Sequence, residues 1–188
     1  MPNSGGAGVI LAAGASSRMG RPKALLPYGG TTFVDHLWRL LEQLPLAWKR
    51  VVTSPALPLD GYPCLVNPET ERGPIGSLQL ALRSGADRYP WLMVLAVDRP
   101  TIALSTLQAL IDATRQPGEL WVPSYQGRRG HPVVFGRACY PDLLAAPDHP
   151  GARWVVQRHV RTEVPVDDPA IFDQLDTPAD LKAAGLSP

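Results

Sequence analysis

Residues 9–23 read VILAAGASSRMGRPK, and the rest of the sequence can be placed around them. The first residues of this stretch, Val9 to Ala12, are apolar and have the length of a short buried strand. They lead directly into a loop of alanine, glycine and serine, whose small side chains let a ligand approach the backbone. Successive backbone amides in such a loop can form a concave site for an anion. The stretch therefore predicts a strand followed by an anion-binding loop.

Three polar side chains give this loop its chemistry. Ser16 offers a hydroxyl donor, and Arg18 and Lys23 are two cations suited to phosphate oxygens. Lysine is scarce in the chain, with three residues against 15 arginines, so a lysine in this loop is notable. The loop is not a P-loop, because Ala24 follows Lys23 where that motif requires serine or threonine. An ordinary flexible loop with two solvated cations is the structural alternative.

Strand-length apolar runs alternate with helical segments along the chain. Residues Thr32 to Leu44 repeat apolar positions at intervals of three and four, which predicts a helix capped by Thr31 or Thr32. Trp91 to Val97 is an unbroken apolar run, typical of a central strand covered on both faces. The alternation predicts an α/β fold with a mostly parallel sheet, whose ligands bind where the strands end. Further strands are expected at residues 50–53, 64–66, 119–122, 133–135 and 162–166, and further helices at 75–86, 104–115, 137–144, 152–159 and from Thr177 onward.

The composition is that of one globular domain. The chain has 188 residues, 45% of them hydrophobic and 19% charged, with a net charge of +1. This charge predicts binding neither to nucleic acid nor to a membrane surface, and no apolar run is long enough for a transmembrane helix. The start of the chain lacks a secretory pattern and its two cysteines form no disulfide framework, so we expect a cytoplasmic protein. The expected domain covers residues 1–188, with residues 1–6 flexible because Gly5, Gly6 and Gly8 precede the first strand.

The loop from Leu11 to Lys23 resembles the signature loop of a large group of nucleotidyltransferases, which reads roughly LAAGxSxRMGxPK. The most similar branch is the molybdenum cofactor cytidylyltransferase-like group, which is related to the guanylyltransferases of the same cofactor. The resemblance covers nearly the whole chain and implies a Rossmann-like, three-layer nucleotidyltransferase fold. It also implies that Arg18 and Lys23 are catalytic cations. The nucleotide-binding residues that it implies in this loop are Leu11, Ala12, Ala13, Gly14, Ser16, Arg18 and Lys23.

A second nucleotide-binding segment is expected between Asn67 and Leu78. In the family it closes over the base and the ribose, and the resemblance implies binding roles for Gly73 and Ser77. Ser77 can donate a hydrogen bond from the first turn of the helix that follows. A plain glycine-containing turn before an amphipathic helix is the alternative.

Two aspartates are the expected metal ligands. Asp98 directly follows the Trp91–Val97 run, where a carboxylate can bind Mg²⁺ beside a triphosphate. The Asp-Arg-Pro sequence at this point matches the family's Asp-x-Pro pattern, with Arg99 as an unusual middle residue. The resemblance implies a second carboxylate near residues 173–181, where Gln174 replaces the first aspartate of the usual pattern. We favour Asp176 and leave Asp173, or no side chain, as alternatives.

Two further segments resemble acceptor-binding parts of the cofactor branch. His131 lies in an Arg-Gly-His-Pro turn, where it could bind the acceptor or organise the loop. Arg153 follows Gly151-Ala152 and could contact a phosphate of the acceptor. A lone histidine is more often structural, so the acceptor-binding roles of His131 and of Arg153 both stay open.

The reaction that the resemblance implies transfers CMP from CTP to the phosphate of the molybdopterin cofactor, with Mg²⁺, and releases pyrophosphate. Ala13 and Pro22 favour CTP, because the guanylyltransferase branch tends to have a glycine and an acidic residue at those places. Alternatives are GTP as the substrate, a sugar or polyol phosphate as the acceptor, and a nucleotide-sensing module. A non-catalytic maturation factor that serves a molybdoenzyme client is a further alternative.

Overall fold

A computed structural model describes residues 5–14 and 20–186 of the chain. Strands and helices alternate along these residues, as expected, and the last helix follows the Thr177 cap. The strands are β1 (Gly6–Leu11), β2 (Pro27–Tyr28), β3 (Thr31–Thr32), β4 (Leu46–Thr53), β5 (Cys64–Val66), β6 (Trp91–Ala96), β7 (Leu120–Tyr125), β8 (Arg128–Arg129), β9 (Val133–Gly136) and β10 (Arg161–Pro165). The helices are α1 (Phe33–Glu42), α2 (Gly73–Arg83), α3 (Leu104–Ala113), α4 (Tyr140–Ala145), α5 (Ala152–Arg158) and α6 (Pro178–Ala183).

The central sheet has the strand order β10-β7-β9-β6-β1-β4-β5, with β8 paired to β7. The pairs β1–β4, β1–β6, β4–β5 and β7–β10 are parallel. Strand β9 is antiparallel to both of its neighbours, β6 and β7. The expected α/β class with a mostly parallel sheet is confirmed. Strands β2 and β3 form a separate two-stranded hairpin before α1.

Helices cover both faces of the sheet, so the fold has three layers. Successive residues of β1 point to opposite faces, as a strand requires. Ile10 packs in the core cluster that holds side chains of α1, α3 and α6. Val9 packs in the cluster that holds side chains of α2, α4 and α5. The three-layer architecture that the loop resemblance implied is therefore confirmed.

Two boundaries differ from the sequence expectation for physical reasons. Strand β1 begins at Gly6 rather than Val9, and a Cβ at Gly6 would lie 2.2 Å from the ring of Trp91. Glycine is needed there for packing, so the expected flexible start does not include Gly6, while residues 1–4 lie outside the described residues. Helix α2 begins at Gly73, whose φ of +68° favours glycine, and not at Ile75. No helix in the described part of the chain is long and apolar enough to cross a membrane.

Candidate active site

Strands β1 and β6 bring two distant loops together. Leu11 pairs with Ala96 in parallel register, and the Val97 amide donates a hydrogen bond to the Leu11 carbonyl at 3.1 Å. The loop after β1 and the loop that holds Asp98 therefore leave the sheet side by side, at the edge where ligands of parallel sheets bind.

A cavity of about 160 Å³ opens between these loops and the start of α2. Six of the expected nucleotide-binding residues line it: Leu11, Ala13, Gly14, Lys23, Gly73 and Ser77. Ala12 is not among the lining residues, because its side chain is buried in the core cluster beneath α1. Ser16 and Arg18 lie outside the described residues. Thr70 and Pro74 also line the cavity and were not expected from the sequence.

The α2 wall of this cavity is held by a buried amide. The Asn67 side chain donates from Nδ2 to Ser77 Oγ at 3.0 Å and accepts from the Glu69 amide at 2.9 Å. Both Asn67 and Ser77 are 3% exposed, so this link lies inside the protein. A side-chain hydrogen bond therefore fixes Ser77 against the wall of the cavity.

The two expected metal ligands lie on either side of the Lys23 ammonium group. Lys23 Nζ is 3.4 Å from Asp98 Oδ2, and it also donates a hydrogen bond to Asp176 Oδ1. The three side chains are only 13%, 19% and 20% exposed, for Lys23, Asp98 and Asp176 in that order. Of the two aspartates considered in the last segment, the structure brings Asp176 to Asp98.

The carboxylates fit a divalent metal ion. Asp98 Oδ1 is buried and has no hydrogen-bond partner among the described residues, so a polar atom is left for a ligand to satisfy. Within residues 5–14 and 20–186 no group of three or more His, Cys, Asp or Glu side chains could hold a metal. Mg²⁺ needs only one or two carboxylates when substrate phosphates and water supply the other oxygens. The pair of aspartates is thus suited to a metal that arrives with a nucleotide.

Backbone contacts hold Asp176 in this position. The Leu175 amide donates to the Asp98 carbonyl at 2.8 Å, which ties the last segment to the loop after β6. Asp180 caps α6 by accepting from the Asp176 and Thr177 amides at 3.0 and 2.7 Å. The hydrogen bond from the Thr177 hydroxyl, and after it those from the Thr177 and Asp176 amides, lower the pKa of Asp180. Asp180 therefore completes a capping box with Thr177 at the start of α6 and helps to fix Asp176.

A second, larger cavity of about 490 Å³ adjoins the first. The two cavities share Leu11, Pro74, Ala96 and Asp98. The wall of the larger cavity is apolar, with Leu78, Val94, Val122, Val133, Phe135 and Val156. Four arginines also line it, at positions 99, 129, 153 and 161. Among the described residues that line it, Asp98 is the one acidic residue, so the cavity suits an anionic ligand with an apolar body.

His131 and Arg153, the two expected acceptor residues, both line this larger cavity. The backbone of the His131 turn is clamped, because the His131 amide donates to the Ile171 carbonyl at 2.9 Å. A Cβ at Gly130 would lie 2.5 Å from that carbonyl oxygen, which explains the glycine. Desolvation by the surrounding walls and, secondly, the Arg99 charge lower the pKa of His131, although the residue is exposed at the cavity mouth. The imidazole is therefore neutral at neutral pH and can both donate and accept a hydrogen bond.

Arginines 129 and 161 are site residues that the sequence did not single out. They come from β8 and from the start of β10, two elements far apart in sequence. Both side chains are exposed, and Arg129 is 3.5 Å from Glu163. With so many arginines in the chain, only the sheet order could show which ones share a cavity.

A family match supports the nucleotidyltransferase interpretation of this site. The MobA-like NTP transferase domain matches residues 8–163. The chain belongs to this family. Membership of a MobA-like nucleotidyltransferase family confirms the expectation from the loop. The matched range contains β6 and most of the lining of both cavities, whereas Asp176 lies beyond it.

Two relatives of this MobA-like protein have different names. A Paenarthrobacter nicotinovorans protein named nicotine blue oxidoreductase is 32% identical over 153 residues, which cover 73% of this chain and 74% of that protein. A Mycobacterium bovis BCG protein named probable molybdenum cofactor guanylyltransferase is 35% identical over 143 residues, which cover 73% and 71%. The expected enzyme class is confirmed by the family and agrees with the name of the second relative, whereas the name of the first relative gives an oxidoreductase activity.

A solved relative has been crystallised with a divalent metal. The Rv0371c protein of Mycobacterium tuberculosis H37Rv superposes with a TM-score of 0.84 at 29% identity, over 96% of this chain and 98% of that one. Its complex with manganese superposes with a TM-score of 0.79 at 28% identity, over 96% and 97%. A divalent metal is thus compatible with this fold, and the metal in that relative is manganese.

Proposed function

We propose that this MobA-like protein transfers CMP from CTP to the phosphate of a molybdopterin-type acceptor and releases pyrophosphate, with Mg²⁺ as the metal. The position of Asp98 carries the proposal. This carboxylate lines both the cavity of the anion-binding loop and the larger cationic cavity. A nucleotide in the first and an acceptor in the second would meet at Asp98.

The attacking group is already an anion, so the chain has no need of a strong general base. Its task is to align the acceptor phosphate with the α-phosphorus of the nucleotide and to neutralise charge. Lys23 reaches this point from the loop after β1 and would bind phosphate oxygens as negative charge builds up on them. Arg18, which lies outside the described residues, is proposed for the same task. Asp98 and Asp176 would hold the metal, which supplies positive charge to the attacking and leaving oxygens.

The larger cavity supports an acceptor with an anionic group on an apolar, ring-containing body. The arginines attract the phosphate, and Arg153 on α5 is the one that we propose as its direct partner. The apolar wall would cover the ring system, and the neutral imidazole of His131 would hydrogen-bond to its polar edge. A molybdopterin-type acceptor has both parts, whereas a sugar or polyol phosphate has no comparable apolar body.

The choice of CTP rests on two residues. Ala13 lines the nucleotide cavity, where its methyl group would crowd a purine, and Pro22 stands where the guanylyltransferase branch tends to have an acidic residue. Only 6% of Ala13 is exposed, so the methyl acts at the floor of the cavity. The name of the Mycobacterium bovis relative favours GTP instead. GTP is therefore the alternative substrate that the experiment must include.

Pyrophosphate release by the purified protein tests the proposal. CTP, GTP, ATP and UTP are each supplied with Mg²⁺, with and without molybdenum cofactor. Release that needs both CTP and the cofactor supports the proposal, and release with GTP moves the protein to the guanylyl branch. Pyrophosphate release with a sugar or polyol phosphate in place of the cofactor would identify that phosphate as the acceptor instead. Binding of CTP or cofactor without any release would favour a sensing module or a maturation factor.

A further inference from the structure

Two polar side chains contact each other beside the proposed metal site. Arg99 follows Asp98, and Gln174 lies two residues before Asp176. The two residues are 75 positions apart, yet Arg99 Nη2 donates a hydrogen bond to Gln174 Oε1 at 3.0 Å. The second terminal nitrogen of Arg99, Nη1, donates to the Asp173 carbonyl at 2.6 Å. The guanidinium group thus holds both the backbone and a side chain of the last segment.

Gln174 passes this contact on to Asp176. Its Nε2 atom donates to Asp176 Oδ2 at 2.8 Å. The other oxygen of Asp176, Oδ1, accepts from Lys23 and faces the side on which Asp98 lies. Gln174 therefore fixes the rotation of the Asp176 carboxylate by donating to one of its oxygens. The other oxygen is left directed into the site.

We propose that Arg99 and Gln174 are positioning residues that orient the Asp176 carboxylate for a divalent metal ion. This inference rests on the proposed function, because it assumes the metal site at Asp98 and Asp176. When a residue that hydrogen-bonds to a metal ligand and orients it is removed, the metal affinity typically falls by about 10- to 100-fold. The pair would thus raise the affinity of the site without touching the metal.

An amide suits position 174 better than a carboxylate once an arginine stands at position 99. The amide accepts from Arg99 with its oxygen and donates to Asp176 with its nitrogen. A carboxylate at this position could accept from Arg99 but could not donate to Asp176, and its charge would repel that of Asp176. Gln174 therefore forms a matched pair with Arg99.

Mn²⁺ binding to the purified protein tests the inference, with free Mn²⁺ measured by electron paramagnetic resonance. The variants are Gln174→Met, Arg99→Lys and the two together. Arg99→Lys keeps the positive charge but loses the planar guanidinium group that donates two hydrogen bonds. The charge is kept because its removal would by itself favour cation binding. We expect each single variant to weaken Mn²⁺ binding by about tenfold. The double variant should bind Mn²⁺ about as weakly as the weaker-binding of the two single variants, because both residues act through one carboxylate.

Two controls keep this inference separate from the proposed function. Gln116→Met, at an exposed position after α3, should bind Mn²⁺ like the unmodified chain. In an Asp176→Asn background, Gln174→Met should have no further effect, since its target is gone. If Asp98→Asn and Asp176→Asn both leave Mn²⁺ binding unchanged, the metal site itself is wrong and the inference is overturned with it. If those two weaken binding while Gln174→Met and Arg99→Lys do not, only the positioning role is overturned.

Discussion

Lys23 and Asp98 are 75 residues apart in the sequence, and the Lys23 ammonium nitrogen lies 3.4 Å from Asp98 Oδ2. Asp176, from the last segment of the chain, contacts the same ammonium group. Two carboxylates this close would repel each other, and the cation between them reduces that repulsion. One lysine therefore links the anion-binding loop to both expected metal ligands, and it lines the proposed nucleotide cavity.

We expect Lys23→Ala to lower turnover by about two to three orders of magnitude. This is the usual loss when one contact to the charge of a transition state is removed. The measurement is the rate of pyrophosphate release at saturating nucleotide and acceptor. Lys182→Ala, an exposed lysine in the last turn of α6, is the matched control and should keep full activity. Turnover of Lys23→Ala close to that of the control would remove Lys23 from the mechanism.

We expect Ala13→Gly to weaken the preference for CTP over GTP by at least about tenfold. One methyl group in a binding pocket commonly contributes about 10- to 200-fold to discrimination. Competition between labelled CTP and GTP at equal concentrations gives the ratio directly. Ala12→Gly makes the same substitution at the neighbouring position, whose side chain is buried outside the cavity, and should leave the ratio unchanged.

A preference for GTP in the unmodified chain would contradict the assignment of the base. An equal change in both glycine variants would show that loop flexibility, and not the Ala13 methyl group, sets the ratio.

Local patterns were enough to predict the α/β class and the position of Asp98 after a central strand, whereas the three layers were implied by the loop resemblance. The apolar run from Trp91 to Val97 predicts a buried central strand, and the structure places β6 between β1 and β9. Asp98 directly follows that run, so its place at the ligand-binding edge follows from the parallel sheet alone. Asp176 was the favoured residue of its segment, but Asp173 or no side chain stayed open, because nothing in the sequence shows which residue of a capped turn faces another loop.

No local pattern in the sequence indicated the contacts that complete the site. The Arg99–Gln174 hydrogen bond and the clamp between His131 and Ile171 join segments far apart in the chain. Neither contact produces a periodicity or a motif in one sequence. In the same way, Arg161 can be assigned to the larger cavity only after β10 is known to pair with β7.

We expect Arg153→Ala to raise the KM for the acceptor by about tenfold or more and to leave the KM for the nucleotide unchanged. A hydrogen bond to a charged group is worth about 1.5–3 kcal/mol, which corresponds to at least a tenfold change in affinity. Arg158→Ala is the control on the same helix. The Arg158 side chain pairs with Asp142 at 3.6 Å and stacks on Trp154, and it is not among the residues that line either cavity. A similar rise in the KM for the acceptor in both variants would indicate a general charge effect rather than a direct contact by Arg153.

The two carboxylates should respond differently to loss of charge. Asp98 follows a largely buried strand and lines both cavities, so its position is fixed by the core. Asp176 lies in a turn whose position depends on a few hydrogen bonds. Magnesium requires only one or two protein carboxylates when phosphates and water complete its shell. We therefore expect Asp98→Asn to abolish turnover at any Mg²⁺ concentration and Asp176→Asn to leave activity that excess Mg²⁺ partly restores.

Mg²⁺ titrations of pyrophosphate release compare the two variants directly. Asp112→Asn, which alters an exposed ion pair with Arg115 at the end of α3, is the control and should titrate like the unmodified chain. The half-saturating Mg²⁺ concentration should rise for Asp176→Asn, because one metal ligand has lost its charge while Asp98 remains. If Asp176→Asn is inactive and Asp98→Asn recovers with Mg²⁺, the ranking of the ligands is reversed. If both variants behave like the control, catalysis does not use this pair of carboxylates, and a binding role for the protein becomes the better explanation.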